Sequence, residues 1–123
     1  MSKVKLKIWN RSFILPILYE CESDEEVLDI QKEAANLFVK NSKQLLSSDK
    51  DIISYCLKDK KNSEVDDIQN VFKYVMPVSI LVKRSKKDHI VALMCNYKFD
   101  IEHGLAVVFK NEKYLNISVQ DSI

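Results

Sequence analysis

The run PVSILVKRSKKDHIVALMCNYKFDIEHGLAVVFKNEKYLNISV (77–119) decides the fold class, because four β-rich stretches follow one another in it with only short polar turns between them. The stretches are VSILVK (78–83), HIVALMCNYKF (89–99), GLAVVFK (104–110) and KYLNISV (113–119). β-Branched and aromatic residues are typical of strands, and short polar connections are typical of hairpins. The second half of the chain therefore predicts a four-stranded antiparallel meander.

Two more strands are predicted at the N-terminal end of the chain. Residues 3–8 (KVKLKI) alternate lysine with aliphatic residues, which predicts a strand with one wet face and one buried face. Residues 13–20 are apolar on both faces and contain Pro16, which removes one ladder donor and favours an edge position or a bulge.

Three helices are predicted between these strands and the meander. Ser23 is followed by acidic residues, as is typical of a helix start, and predicts a helix over 24–46. The helical spacing of apolar residues predicts a second helix over 49–59 and a third over 63–75, which Pro77 stops.

Together these elements predict a single α+β domain over residues 1–123, with the helices on one face of the sheet. A chain of 123 residues, 46% of them hydrophobic, is large enough to bury one core. The 19 basic and 18 acidic residues give a net charge of +1, so no global field favours a polyanion or an anionic membrane. We therefore expect neither nucleic acid nor membrane as a partner.

Two features bear on the cellular compartment. Cys21, Cys56 and Cys95 are odd in number and far apart among apolar neighbours, which fits buried reduced thiols and the cytoplasm better than disulfides. A thiol nucleophile stays open, although no motif places a residue to activate it. FILPILY (13–19) after several lysines imitates a secretion signal, but it is short, contains Pro16 and is followed by acidic residues. We expect a soluble, unprocessed, cytoplasmic protein.

The segment YKFDIEHGLAVVF (97–109) is the main candidate for chemistry, because it gathers Asp100, Glu102, His103 and the single glycine, Gly104. Carboxylates near a histidine can serve acid/base catalysis or bind a metal. An extended run would place His103 on the face opposite the carboxylates, and no other cluster has metal-site spacing. The alternative is a tight turn in which Asp100 bonds neighbouring amides and Gly104 adopts an angle that a Cβ would forbid. We expect this structural turn, without metal or cofactor, and keep a metal-dependent or acid/base hydrolase as the alternative.

Two charged clusters are candidate partner-binding surfaces. The acidic cluster within residues 22–29 has more carboxylates than helix capping requires, so it could dock a basic partner. The basic cluster KRSKK (83–87) could touch phosphates, but no aromatic residue alternates with it to stack bases, so a nucleic-acid role is the weaker hypothesis. The acidic residues are Glu22, Asp24, Glu25, Glu26 and Asp29, and the basic residues are Lys83, Arg84, Lys86 and Lys87.

Several enzyme motifs are missing from the sequence. It has no glycine-rich phosphate loop, which one glycine cannot build, no serine nucleophile elbow, no HExxH and no CxxC. This argues against dinucleotide- and nucleotide-dependent enzymes, and an enzyme of ordinary type would need more loop and more glycine than this chain has.

The segment FDIEHGLAVVFKNEKYLNISVQD (99–121), placed after the PVSILV strand and a helical middle, resembles a family of small bacterial proteins known mainly as a domain of unknown function. Such proteins have a C-terminal meander with a D-x-E-H-G-hydrophobic turn. The family usually has Trp where this chain has Phe99, and Gly where it has Glu112 and Ser118. The matching residues are Asp100, Glu102, His103, Gly104, Leu105 and Asp121.

The resemblance also implies a function. Such genes are linked to polymorphic-toxin and contact-dependent-inhibition loci, where small single-domain proteins act as immunity proteins. It implies a non-enzymatic cytoplasmic protein that neutralises a cognate toxin domain by direct binding and occlusion, and it leaves the oligomeric state open. The acidic residues 22–29 are the first choice of docking surface and the basic residues 83–87 the second.

Overall fold

A computed structural model describes residues 3–47, 49–59, 70–120 and 123 of the chain. The regular elements are, in chain order, strands β1 (Lys3–Ile8) and β2 (Arg11–Tyr19), helices α1 (Asp29–Leu45) and α2 (Lys50–Asp59), a 3₁₀ turn (Val71–Lys73), and strands β3 (Val75–Val82), β4 (Ile90–Tyr97), β5 (Leu105–Lys110) and β6 (Lys113–Ser118). The six strands form one sheet in the order β1-β2-β3-β4-β5-β6. Neighbours in the chain are therefore neighbours in the sheet.

The sheet is mixed, because β2 and β3 run parallel whereas the other neighbouring pairs are antiparallel. Parallel neighbours need a crossover connection, and α1 and α2 lie within this one. The register pairs Ile17 with Ile80 and Tyr19 with Val82. The carboxyl ends of β2 and β3 therefore lie side by side.

The prediction of three helices followed by a four-stranded meander is wrong. The described residues form two α-helices and one six-stranded mixed sheet, in which β3 to β6 are continuous with β1 and β2. The end of the third predicted helix (63–75) is a 3₁₀ turn that leads into β3, and residues 63–69 lie outside the described part. Pro77 does not stop a helix but lies in β3 at a register shift, where a missing N–H donor is tolerated.

Helix α1 begins at Asp29 and not at residue 24. The residues before it form a local turn, in which the amide of Glu25 donates to the carbonyl oxygen of Glu22 at 3.1 Å and the amide of Glu22 donates to Oε1 of Glu25 at 2.9 Å. These bonds hold Glu22 to Glu25 in a turn outside the helix, whereas Asp29 lies in its first turn. Of the described helices, neither is long and apolar enough to cross a membrane.

Both helices pack against the same face of the sheet, which we call the inner face. Phe38 of α1 and Ile52 and Cys56 of α2 are buried against strand residues such as Leu93 and Val107. Burial of this apolar area is the largest stabilising contribution to such a fold. The opposite face, which we call the outer face, is covered by neither α1 nor α2.

Gln31, in the first turn of α1, is a polar side chain with only 1% of its surface exposed. Its Nε2 donates to the carbonyl oxygens of Glu20 at 3.0 Å and Val82 at 3.3 Å, and its Oε1 accepts from the amide of Leu28 at 2.9 Å. A buried amide is destabilising unless it is hydrogen-bonded, and here both ends of the side chain are. Gln31 thus fixes the start of α1 to the ends of β2 and β3.

Replacing Gln31 with leucine, which is similar in size, tests this linkage. The Gln31→Leu variant removes a donor from the carbonyl oxygen of Glu20, the second donor from that of Val82, and the acceptor of the Leu28 amide. We therefore expect the free energy of unfolding in urea to fall by about 1–3 kcal/mol. Gln44→Leu, an exposed position on the same helix, is the matched control and should change it by less than about 0.5 kcal/mol. Equal stability of the two variants would show that the Gln31 bonds contribute nothing.

Candidate functional site

The acidic and basic clusters lie next to each other, at the carboxyl ends of β2 and β3. Strand β2 leads into the acidic residues and β3 leads into the basic ones, and the two strands are parallel neighbours. The amide of Glu20 donates to the carbonyl oxygen of Val82 at 2.9 Å, which continues the pairing beyond β2. We call this surface, made of residues 20–29 and 83–88, the charged rim.

Glu20 links the two halves of the charged rim. Nζ of Lys83 donates to its Oε2 at 2.6 Å, and the backbone amide of Arg84 donates to its Oε1 at 2.8 Å. The hydrogen bond from Lys83 and then that from the Arg84 amide lower the pKa of Glu20, against the opposing effect of partial burial. Glu20 is therefore ionised at neutral pH, and its charge is matched inside the molecule.

Arg84 closes the acidic loop onto the end of β3. Its Nη2 lies 3.3 Å from Oε2 of Glu25, and its Nη1 donates to the carbonyl oxygen of Glu26 at 2.9 Å. The same Nη1 lies 3.4 Å from Sγ of Cys21. Because a guanidinium has several donors in a fixed plane, one side chain can hold several points of a loop.

Asp88 of the rim lies 3.9 Å from Nζ of Lys110, whereas the other remaining charges of the rim are exposed and make no ion pair within the described part of the chain. Oγ of Ser85 accepts from the amides of Lys87 at 3.3 Å and Asp88 at 3.0 Å, and this turn leaves two lysines exposed. The carboxylates that remain are Glu22, Asp24, Glu26 and Asp29, and the lysines are Lys86 and Lys87. Of the predicted binding residues, Glu25, Lys83 and Arg84 are instead engaged in holding the rim together.

The turn between β4 and β5 lies at the opposite end of the strands. Oδ1 of Asp100 accepts from the amide of His103 at 3.2 Å and lies 2.9 Å from Nδ1 of that residue, and this contact lowers the pKa of Asp100. Gly104 has φ +62°, where a Cβ would lie 2.7 Å from Nε2 of Gln120 and 2.8 Å from the carbonyl oxygen of Cys95. The backbone angle favours glycine, and the lack of space for a Cβ adds to this preference.

The structure brings Asp100 and His103 together but leaves Glu102 exposed, with no side-chain hydrogen bond or ion pair to the described residues. Within those residues, no three histidine, cysteine or acidic side chains converge as metal ligands do. The hydrolase hypothesis, which also uses Glu102, stays a prediction.

All three cysteines are free thiols. Cys56 and Cys95 are fully buried, whereas Cys21 is half-buried in the charged rim. Burial raises the pKa of Cys95, and the neighbouring Cys56 adds to this effect. A thiol held in its protonated form is a poor nucleophile.

The comparison with protein families places the chain. A family model described as a domain of unknown function (DUF6985) matches residues 2–123. The chain belongs to this family. No curated protein and no solved structure matches it. Because the family description carries no activity, the function of this DUF6985 protein has to be argued from its surfaces.

A histidine to which the sequence analysis assigned no role, His89, connects α1 of the DUF6985 protein to the β5–β6 turn. Its Nδ1 lies 2.8 Å from Oε2 of Glu112, and its Nε2 lies 3.4 Å from Oε2 of Glu33. The amide of His89 also donates to Oδ1 of Asn111 at 2.9 Å. Part of this contact could have been predicted from the sequence. If the strands predicted over 89–99 and 104–110 pair as antiparallel neighbours, residue 89 lies beside residue 111.

The two carboxylates around His89 stabilise its protonated form. Burial lowers the pKa of His89, but the hydrogen bonds and charges of Glu112 and Glu33 raise it, and together they outweigh burial. A histidine whose pKa is raised on folding contributes stability below its unfolded pKa, and that contribution is lost as the pH rises through the folded pKa.

This pH dependence is measurable on His89→Gln. We expect the free energy of unfolding of the wild type to exceed that of the variant by the largest amount below a pH of about 6.5. This difference should shrink as the pH rises through the folded pKa of His89. Titration of the imidazole by NMR should give that pKa above the ordinary histidine value. His103→Gln, at the other end of the strands, is the control and should leave the His89 titration unchanged. A His89 pKa below the ordinary value would contradict the role of the two glutamates.

Substitution of Gly104 tests the β4–β5 turn. Gly104→Ala forces a Cβ against Gln120 and Cys95 at a positive φ, so we expect a loss of about 1–3 kcal/mol in the free energy of unfolding. Glu102→Ala, in the same turn but exposed, should stay within about 0.5 kcal/mol of the wild type. Thermal or urea unfolding of both variants measures the difference, and a neutral Gly104→Ala would show that the turn tolerates a side chain.

Proposed function

We propose that this DUF6985 protein is a non-enzymatic cytoplasmic binding protein, an immunity protein that neutralises a cognate toxin domain by direct binding and occlusion. The observation that carries the proposal is the charged rim. The charges of Glu20, Glu25, Lys83 and Arg84 are matched by ion pairs within the molecule. The exposed charges, which have no ion-pair partner among the described residues, are those of Glu22, Asp24, Glu26, Asp29, Lys86 and Lys87.

The organisation of the rim supports a binding role. Arg84, Glu20 and Gln31 hold its backbone at several points. A surface that is already ordered loses less conformational entropy when a partner binds. Charges that are presented on such a surface speed association and discriminate between partners.

The chemistry of the partner follows from the exposed residues. Four carboxylates, from Glu22 to Asp29, fit a basic surface on the toxin domain. The two lysines beside them, Lys86 and Lys87, fit an acidic flank and would set the orientation. A domain of this size bound over a basic functional groove would block it without any chemistry of its own.

The resemblance of residues 99–121 to a toxin-associated bacterial family is the second support for this role. We also propose that the Asp100–Gly104 turn is a feature that members of this family share. The turn then stabilises the fold, and the rim at the other end of the strands binds the partner.

The test is binding to the product of the adjacent upstream gene. We expect a complex by gel filtration and by calorimetry, with an affinity that falls as salt rises. Reversing one rim charge, Glu22→Lys, should weaken binding by about tenfold. Glu102→Lys makes the same change of charge in the β4–β5 turn and should leave the affinity unchanged.

The binding tests and the gene neighbourhood offer three outcomes that would count against the proposal. These are the absence of a complex with that protein, a complex that both charge reversals weaken equally, and a gene neighbourhood without a toxin. Continued toxicity in cells that express the wild-type protein together with the toxin would also contradict it.

A further inference from the structure

Strand β6 lies at one end of the sheet, so that only β5 pairs with it within the described part of the chain. Along the unpaired side of such a strand, which we call the free edge of β6, backbone N–H and C=O groups point away from the sheet. Lys113, Tyr114, Leu115 and Asn116 are exposed, so the free edge is open to solvent. It therefore presents a row of backbone donors and acceptors.

Two hollows border the free edge, one on each face of the sheet. The outer hollow, of about 310 Å³, is lined mostly by apolar side chains, among them Val108 and Leu115. The inner hollow, of about 290 Å³, lies between β6 and α2 and is lined mostly by polar side chains, among them Ser54 and Lys58. Asn116 lines both hollows, so the two meet at the free edge.

A bulge in β6 shapes the outer hollow. Val108 pairs with Asn116, whereas the next residue of β5 pairs with Tyr114. Leu115 is therefore the extra residue of the bulge. Leu115 and Asn116 are consecutive in the chain and both line the outer hollow, although in a regular strand their side chains would point to opposite faces. The bulge thus adds an apolar wall beside the free edge.

We propose that the free edge of β6 binds an extended segment of another protein, which adds one more strand to the sheet. The backbone of such a segment supplies the alternating donors and acceptors that the free edge lacks. Its side chains point alternately to the two faces of the sheet, so one set enters the outer hollow and the other set enters the inner hollow. The segment that fits therefore alternates apolar residues with polar ones.

The charges near the free edge define the polar residues of that segment. Lys58 lines the inner hollow and Lys113 begins β6, and neither has an ion-pair partner among the described residues. Asp51 is the acidic residue in the lining of the inner hollow. Because the two lysines outnumber it, acidic side chains fit the inner hollow best.

Other occupants fit the free edge less well. Two β6 strands could pair across a two-fold axis, but the ring of Tyr114 already contacts that of Phe109, with 6.3 Å between the centroids, and Ile117 packs against the core. The inner hollow of each copy would then stay unfilled. A contact confined to six residues is also small beside the roughly 1,200 Å² that stable interfaces bury. A small ligand could fill one hollow but would leave the backbone row without partners.

The free edge of β6 is separate from the charged rim. The rim lies at the ends of β2 and β3, and strands β4 and β5 lie between it and β6. The inference therefore does not rest on the toxin role proposed for the rim. It is tested with a synthetic peptide on the isolated full-length chain.

The first experiment titrates a peptide of about nine residues, in which valine alternates with glutamate, into the isotope-labelled protein up to about 2 mM. We expect a dissociation constant on the order of 0.1–1 mM, with NMR shifts confined to β6 and to the residues that line the two hollows. Hydrogen exchange should slow at the β6 amides that face away from β5. The same peptide with every backbone nitrogen methylated cannot donate to the free edge, so it is the control and should not bind.

The second experiment changes the outer hollow. Leu115→Glu places a charge at its apolar wall and should weaken peptide binding by at least about tenfold. Ile14→Glu, at an isoleucine of β2 that is 67% exposed, is the matched control and should leave the affinity unchanged. Leu115 is 52% exposed, so both variants should fold like the wild type, which circular dichroism checks.

The third experiment reverses the charge in the inner hollow. Lys58→Glu should weaken binding of the valine–glutamate peptide and strengthen binding of a valine–lysine peptide, by about three- to fivefold each. Lys40→Glu makes the same change at an exposed position of α1 and should alter neither affinity at physiological salt.

Absence of binding up to about 2 mM, or shifts that fall on the charged rim and not on β6, would overturn the inference. Equal binding of the methylated peptide would overturn it as well, and so would equal effects of Leu115→Glu and Ile14→Glu. An unchanged peptide preference in Lys58→Glu would contradict the acidic character of the segment. A wild type that dimerises without peptide, and loses the dimer in Leu115→Glu, would assign the free edge to a second copy instead.

Discussion

The parallel pairing of β2 with β3, closed by the buried amide of Gln31, is the constraint on which the rest of the structure depends. Parallel neighbours need a long connection, and here that connection carries the helices that cover the inner face. Gln31 bonds the carbonyl oxygens of Glu20 and Val82, where the two strands end. Because a buried amide is stable only with its partners in place, the start of α1, the ends of both strands and the loops that follow have one mutual arrangement.

The charged rim follows from this arrangement. Two segments of opposite charge leave the sheet at adjacent points, and part of their charge is matched in place by the contacts of Glu20 with Lys83 and of Glu25 with Arg84. Such exposed ion pairs add little to stability individually. Their main effect here is positional, since they hold the backbone from which the unmatched carboxylates and lysines project.

The two faces of the sheet differ in what their residues can do. The inner face is buried under α1 and α2 and supplies the core. The outer face has small buried residues in β4 and β5, such as Ala92 and Ala106, but exposed lysine and isoleucine in β1 and β2. The two helices therefore bury one face of the sheet and leave exposed side chains on the other.

The sequence by itself determined the elements whose pattern is local. The lysine alternation of residues 3–8 predicted β1, the β-rich runs after Pro77 predicted the last four strands, and helical spacing predicted α1 and α2. The single glycine predicted a turn of restricted geometry, and Gly104 has the positive φ that this requires. Periodicity and backbone angle depend on neighbouring residues, which is why they can be inferred without the fold.

Only the tertiary structure decided the pairings between distant segments. It showed that β2 pairs with β3, that the region before Pro77 enters a strand, that the charged clusters meet, and that His89 lies between Glu33 and Glu112. These contacts depend on which apolar faces are buried together, and a single sequence does not carry that information in any local pattern.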